Sequence, residues 1–242
     1  MRLRDLTFAL FSALVYCMFL LVFLYAIGFV ENLLVPKSID SGPSGAFSGS
    51  LVINAALLAV FAMQHSIMAR PAFKEAWTRI VPSQLERSFF VLFATAALAL
   101  LCWQWRPLPQ LVWNVNQPIA VRGLQLLSWL GWAMVLFSTF LISHFQLFGL
   151  SQGFAAAGRR VASAPEFSTP SLYRYLRHPI YAGFIVAFWA TPVMTLGHLE
   201  FAIATTGYIF IGIWFEERDL ITQFGERYRR YRKTVGMLLP RI

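Results

Sequence analysis

The chain has 242 residues, of which 58% are hydrophobic, 16% aromatic and only 13% charged. A soluble domain carries about a quarter of charged residues, so this composition excludes an ordinary soluble enzyme, and its Phe, Leu and Trp content excludes a disordered or nucleic-acid-binding tail. The formal net charge of +9 is read instead as the mark of cytoplasmic loops lying against anionic lipid.

A helix needs roughly 18 to 20 apolar residues to cross about 30 Å of hydrocarbon. Runs of that order occupy residues 6–30, 51–69, 88–105, 123–142, 180–196 and 201–215, the last two being short. They predict an all-α, polytopic membrane protein with about six transmembrane helices, the last two forming a hairpin that turns near Gly197 and His198. The first run is too long for a signal-peptide core and lacks a small-residue cleavage site, so it reads as a retained helix. With both termini in the cytoplasm, 17 of the 20 Lys and Arg residues collect on that side, and only Lys37, Arg106 and Arg122 fall opposite. A bacterial inner membrane is the expected location. Residues 38–50 read as an external loop and 155–171 as a cytoplasmic connection.

Cys17 and Cys102 lie inside apolar spans and read as small core residues without a disulfide. Trp103 and Trp105 read as an interfacial belt on the external side, and His198 as a residue of the external turn. Arg70 and Arg87 read as positively charged cytoplasmic anchors, with Glu86 pairing Arg87 or Arg79. Residues 217–235 place Leu220, Ile221, Phe224, Tyr228 and Tyr231 on one helical face among many arginines, which predicts an amphipathic C-terminal helix on the inner leaflet. The whole chain is expected to be one membrane-embedded domain, with residues 1–142 on the acceptor side and 143–242 carrying a cofactor loop, the hairpin and the C-terminal helix.

Charges at the ends of the spans are the first candidates for function. Arg177 and His178 stand just before Pro179, a residue suited to a first helical position, and Glu216 and Glu217 close the sixth run. An antiparallel hairpin brings these ends together, so that free N–H groups at a helix start face a pair of carboxylates. Such a place suits a zwitterion. A structural ion pair between Arg177 and the glutamates is the alternative reading.

The residues Tyr173, Arg177, His178, Pro179, Tyr181 and Gly183, followed by Glu216, Glu217, Leu220, Phe224, Gly225, Tyr228, Tyr231, Val235 and Pro240, resemble the C-terminal half of the isoprenylcysteine carboxyl methyltransferase and phospholipid methyltransferase superfamily. The resemblance covers about 75 residues. It implies an integral-membrane enzyme using S-adenosylmethionine at the cytoplasmic face, with Tyr173, Arg177, His178, Pro179, Tyr181, Gly183, Glu216 and Glu217 as cofactor contacts. The segment from Ile211 to Phe215 carries no base, where the prenylcysteine branch places an Arg for the substrate carboxylate. A free carboxylate acceptor is therefore not expected. Many relatives also place Gly where Ser171 stands.

Polar strings at Gln64, His65 and Ser66, at Glu86 and Arg87, at Gln104 and Arg106, and from Ser143 to Gln152 are similar to those of the methanethiol S-methyltransferases, a bacterial branch. This resemblance, which departs at Gln146 and Ser151, implies methylation of methanethiol or a similar small thiol to dimethyl sulfide. A thiolate is the competent nucleophile, and His144 or His65, at cytoplasmic ends of their spans, would accept the proton. Hydrogen bonding to a backbone carbonyl is the alternative for either His. Other readings are a larger lipid-like acceptor, or a non-enzymatic membrane accessory protein. No nucleic-acid partner and no metal are expected, since no Cys-x-x-Cys, His-rich spacing or phosphate loop is present.

Overall fold

The computed structural model describes residues 3–158 and 167–241. Arg2, and residues 159–166 of the expected cytoplasmic connection with their Arg159 and Arg160, lie outside the described residues. The helices are α1 (Leu3–Glu31), α2 (Phe47–Ala69), α3 (Pro71–Trp77), α4 (Ser83–Gln104), α5 (Pro118–Leu141), α6 (His144–Leu147), α7 (Leu150–Gly158), α8 (Pro179–Trp189), α9 (Leu196–Phe224) and α10 (Glu226–Thr234). Two short strands, β1 (Leu111–Asn114) and β2 (Val193–Thr195), pair antiparallel.

Five helices, α1, α2, α4, α5 and α9, are long and apolar enough to cross a membrane. Their outer faces are apolar as well: Leu10, Leu14, Leu21 and Leu24 of α1 are each more than 60% exposed. Such a surface is stable only where lipid covers it, and the chain is an integral membrane protein.

The remaining predicted span differs. Residues 180–196 do not form one helix: α8 has 11 residues, about 16 Å at 1.5 Å per residue, and ends at Trp189. Pro192 has no N–H to continue the ladder and disfavours helical Thr191 before it, so the chain runs on in extended form through β2. The turn expected at Gly197 and His198 is instead the first turn of α9, where the Thr195 hydroxyl accepts from the His198 N–H at 3.1 Å. His198 is 1% exposed and its Nε2 bonds the Phe188 carbonyl at 2.9 Å, so it is a buried helical residue and not a turn residue.

The chain divides into two compact units, residues 1–108 with 143–164 and residues 109–142 with 165–242. In the first, α1 packs on α4 and α7, and α2 on α4. Val15, Met68, Phe90 and Val91 form its buried core, flanked by Phe11, Phe19 and Phe148. Ser12 Oγ meets Ser88 Oγ at 2.8 Å between α1 and α4. Gly149 adopts φ +82°, and a Cβ there would stand 2.8 Å from the Ser88 nitrogen, so only glycine lets the loop after α6 lie on α4. At the far end Trp105 is fully buried with Nε1–H donating to the Ile39 carbonyl at 3.1 Å, which removes it from the expected interfacial belt, while Trp103 is exposed. Of the two cysteines, Cys102 is buried but Cys17 is exposed on its helix rather than packed in a core; neither forms a disulfide.

In the second unit α5 packs on α8 through a pair of glycines. A Cβ on Gly131 would lie 2.7 Å from both Ala187 N and Gly183 O, and one on Gly183 would lie 2.7 Å from Gly131 O. Ser128 Oγ–H donates to the Ala187 carbonyl at 3.0 Å beside them. Close approach of this kind replaces the hydrophobic drive that lipid does not provide.

Gly131→Ala should therefore lower the thermal stability of the detergent-solubilised protein, because overpacking costs about 1–3 kcal/mol against about 1 kcal/mol gained in helix propensity. Gly123→Ala on the same helix meets nothing within 4 Å and should be neutral or stabilising. Equal melting temperatures for the two variants would contradict the packing argument.

Candidate functional site

In the second unit the chain enters α8 through a 3₁₀ turn, Ser171–Arg174, in which Ser171 takes a positive φ of 45°. Pro179 stands at the first helical position and His178 at the N-cap before it. The N–H groups of Arg177 and His178 are taken by the carbonyls of Gly236 at 2.8 Å and Met237 at 3.2 Å, so the segment after α10 is laid along the start of α8.

Glu217 is the anchor of this end. Arg177 Nε donates to its Oε1 at 2.7 Å, His178 Nε2 approaches the same oxygen at 3.3 Å, and Arg232 Nε stands 3.4 Å from Oε2. The side chains of Arg177 and Glu217 are each 10% exposed. The Arg177 guanidinium also donates to the carbonyls of Arg232 and Val235. One carboxylate thus ties α9, the start of α8, α10 and the tail together.

Glu216 behaves differently. Its side chain is 44% exposed, and His178 Nδ1 lies 3.7 Å from it. Three tyrosines surround this carboxylate: Tyr181 hydrogen-bonds to it, and its charge acts on Tyr173 and Tyr228. Tyr181 stacks near His178 with ring centroids 5.6 Å apart, and its hydroxyl lies over Gly212. Burial pushes the Tyr173 phenol well above its ordinary pKa, with the Glu216 charge adding to it. Tyr228 is 2% exposed, burial again raises its phenol, and its hydroxyl has no hydrogen-bond partner among the described residues although Glu217, Arg177 and Glu216 act on it. Tyr231 donates its hydroxyl to the Tyr173 carbonyl. Burial raises that phenol to about 12, while Arg177 pulls it down and Glu217 pushes it up.

The expected hairpin ends do meet, and the structure brings Tyr173, Arg177, His178, Pro179, Tyr181, Glu216 and Glu217 to one place. Gly183 is occupied by helix packing against Gly131. The glutamates do not close a helix: α9 continues past them to Phe224, and the amphipathic helix starts only after Gly225, as α10. Tyr228 was legible as an apolar-face residue, but its unpartnered hydroxyl was not.

In the first unit, Ser143 takes a left-handed φ of 88° and starts the single turn α6. His144 is 4% exposed and its Nε2 lies 2.7 Å from the Tyr16 hydroxyl of α1. The two rings meet edge to face at 5.8 Å, and Phe148 packs on the imidazole at 4.8 Å. Burial lowers the His144 pKa below its ordinary value, which keeps the ring neutral and able to accept a proton at pH 7. At the other end of α6, Arg87 Nε–H donates to the Leu147 carbonyl at 2.6 Å. The Arg87 guanidinium also sits 4.6 Å from the Phe90 ring centre. His65 on α2 meets the same Phe90 ring at 4.9 Å and stacks on Phe61 at 5.6 Å.

Glu86 forms no ion pair with Arg87 or Arg79 among the described residues; Arg79 pairs with Glu75 at 3.3 Å. Tyr16 escaped sequence reasoning because a hydroxyl inside an apolar run carries no spacing signal. Arg87 was visible only as a charge at a span's mouth.

No family model matches the chain, and no solved structure matches it. Curated relatives do. The chain is 52% identical over 231 residues to methanethiol S-methyltransferase 1 of Bradyrhizobium diazoefficiens, covering 96% of this chain and 81% of that protein. It is likewise 52% identical over 231 residues to the methanethiol S-methyltransferase of Mycobacterium tuberculosis, covering 96% of this chain and 95% of that one. Nurim of Xenopus laevis is 30% identical over 175 residues, 67% of this chain and 60% of its own. With half of its residues identical over nearly its whole length, the chain belongs to the methanethiol S-methyltransferase family, within the isoprenylcysteine carboxyl methyltransferase superfamily that its C-terminal motif resembles.

Proposed function

We propose that the protein transfers the methyl group of S-adenosylmethionine to methanethiol, giving dimethyl sulfide, at the cytoplasmic face of a bacterial inner membrane with both termini inside. Identity of about half to enzymes named for that acceptor supports the substrate, and the orientation is supported by the 17 of 20 basic residues that the six crossings predicted from the sequence would place on one side.

The residues of the second unit fit the cofactor, and the observation that carries this is the contrast between the glutamates. Glu217 is saturated by Arg177, His178 and Arg232, whereas Glu216 is half exposed, with His178 at 3.7 Å and the Tyr181 hydroxyl as its hydrogen-bond partner. The charge of Glu216 also acts on the buried Tyr228 hydroxyl, which has no hydrogen-bond partner among the described residues. Glu216 would take the ammonium group, the first N–H groups of α8 and the Tyr228 hydroxyl the carboxylate, and the faces of Tyr173 and Tyr181 the cationic sulfur. When bound, S-adenosylmethionine supplies a sulfonium methyl open to attack by a sulfur nucleophile.

On the acceptor's side His144 takes the thiol proton. Its burial keeps the imidazole neutral, and the Tyr16 hydroxyl fixes its orientation. His65, held between Phe61 and Phe90, is the second candidate for the same role.

Three tests follow from these assignments. Purified protein given methyl-labelled S-adenosylmethionine and methanethiol should release labelled dimethyl sulfide into the headspace; cofactor binding without product would reject the acceptor. Glu216→Gln should raise the cofactor Kd at unchanged melting temperature. Glu217→Gln should instead lower the melting temperature, since stripping one partner from a buried pair costs about 3–5 kcal/mol; the opposite pattern would overturn the division of labour. His144→Ala should reduce turnover by about a hundredfold or more with the cofactor Kd unchanged, and Tyr16→Phe should reduce it less. A His144→Ala enzyme as fast as the native one would remove this base.

A further inference from the structure

Among the described residues Arg87 forms no ion pair, and only the charge of Glu86 acts on it. Its guanidinium has five N–H donors, and among the described residues it uses one, Nε, on the Leu147 carbonyl at 2.6 Å. The face of Phe90 at 4.6 Å supports the charge but accepts no strong hydrogen bond. Phe90 is itself 5% exposed and belongs to the apolar core with Val15, Met68 and Val91. A partly buried guanidinium in such surroundings favours any small anion that can reach it, because desolvation has already cost it its water.

No carboxylate among the described residues forms an ion pair with Arg87. Glu86, next in the chain on α4, acts on Arg87 electrostatically but forms no ion pair with it among the described residues. From α2 comes His65, on the same Phe90 ring. From α6 comes His144, one turn before the carbonyl that Arg87 holds, and from α1 the Tyr16 hydroxyl bonded to it. Asp5 of α1 stands 3.8 Å from Arg4, and α7 carries no ionisable residue.

We propose that Arg87 holds the acceptor sulfur as a thiolate, its two terminal NH₂ groups facing the anion while Phe90, Phe148 and Phe19 supply the apolar wall that a methyl-bearing sulfur requires. This rests on the reading of the acceptor as a small thiol. It gives the two ends of α6 separate tasks: His144 receives the proton and Arg87 retains the charge left behind. The S–H bond breaks with its electron pair staying on sulfur and its proton passing to the imidazole. A sulfur lone pair then forms the new C–S bond as the sulfonium C–S bond breaks, its pair leaving on the departing thioether, and the imidazolium returns its proton to water. A cation beside the sulfur lowers the thiol's pKa and so populates the nucleophile at neutral pH.

The test combines a pH profile with a binding measurement. The single-turnover rate of the native protein at saturating methanethiol should level off at least about one pH unit below the ionisation of methanethiol in water. Arg87→Gln should be about a hundredfold slower at pH 7 and recover as pH rises towards the free thiol's ionisation. Arg87→Lys, which keeps the charge, should be slower than native but keep its profile. Thiocyanate, a small sulfur-bearing anion whose nitrile stretch lies clear of protein absorption, should show a bound infrared band in the native protein that methanethiol displaces and Arg87→Gln abolishes. Loss of the Leu147 contact alone would lower the Arg87→Gln rate equally at every pH, and that result overturns the proposal. So does a native rate that climbs to the free thiol's own ionisation, or a thiocyanate band unchanged in Arg87→Gln; these hold even if the glutamine variant folds poorly. A displaceable thiocyanate band from a native protein that makes no dimethyl sulfide would instead reject the thiol-methylation reading and leave the anion site standing.

Discussion

The bonds around Glu217 are what the second unit depends on. A carboxylate placed in a long apolar helix, with its side chain 10% exposed, is stable only if cations and donors surround it, and here Arg177, His178 and Arg232 do so. Arg177 passes the constraint on. Its guanidinium binds the Arg232 and Val235 carbonyls, and its own N–H binds Gly236. The start of α8, the end of α9, α10 and the C-terminal residues are thereby fixed relative to one another by a single acid. While that acid is fully engaged, its neighbour Glu216 is half exposed among tyrosines, one of which, Tyr181, hydrogen-bonds to it.

The first unit is organised by sparse polar contacts in an apolar bundle. Ser12 and Ser88 join α1 to α4, Tyr16 holds one end of α6 through His144, and Arg87 holds the other through Leu147. A four-residue helix has too few internal hydrogen bonds to persist by itself. It is ordered here because both of its ends are tied to long helices, and because Gly149 lets the following loop lie against Ser88. Orientation of the imidazole is thus set by the bundle rather than by the loop that carries it.

Five of the six predicted spans were legible because length and hydropathy alone decide whether a helix can cross a bilayer. The remaining one misled because its apolar run continues to Leu196 although its helix stops at Trp189; Pro192 was the available signal, and hydropathy does not weigh it. The meeting of the charged hairpin ends was legible from chain order, while the unequal roles of Glu216 and Glu217 were not, since adjacent residues on a helix point about 100° apart and only the packed neighbours decide which is buried. His198 and Trp105 show the same gap. Each looks like a boundary residue in the sequence, yet each is buried and bonded to a carbonyl supplied by a distant segment.

The central claim is that S-adenosylmethionine is held by the second unit's charged end, around Glu216 and the tyrosines. Ultraviolet cross-linking of labelled S-adenosylmethionine to the detergent-solubilised native protein, followed by peptide mapping, tests it most directly. Label is expected on peptides carrying residues 173–181 and 216–228, competed away by unlabelled cofactor. Competable label confined to α1, α2 or α4, with none on those two peptides, would contradict it.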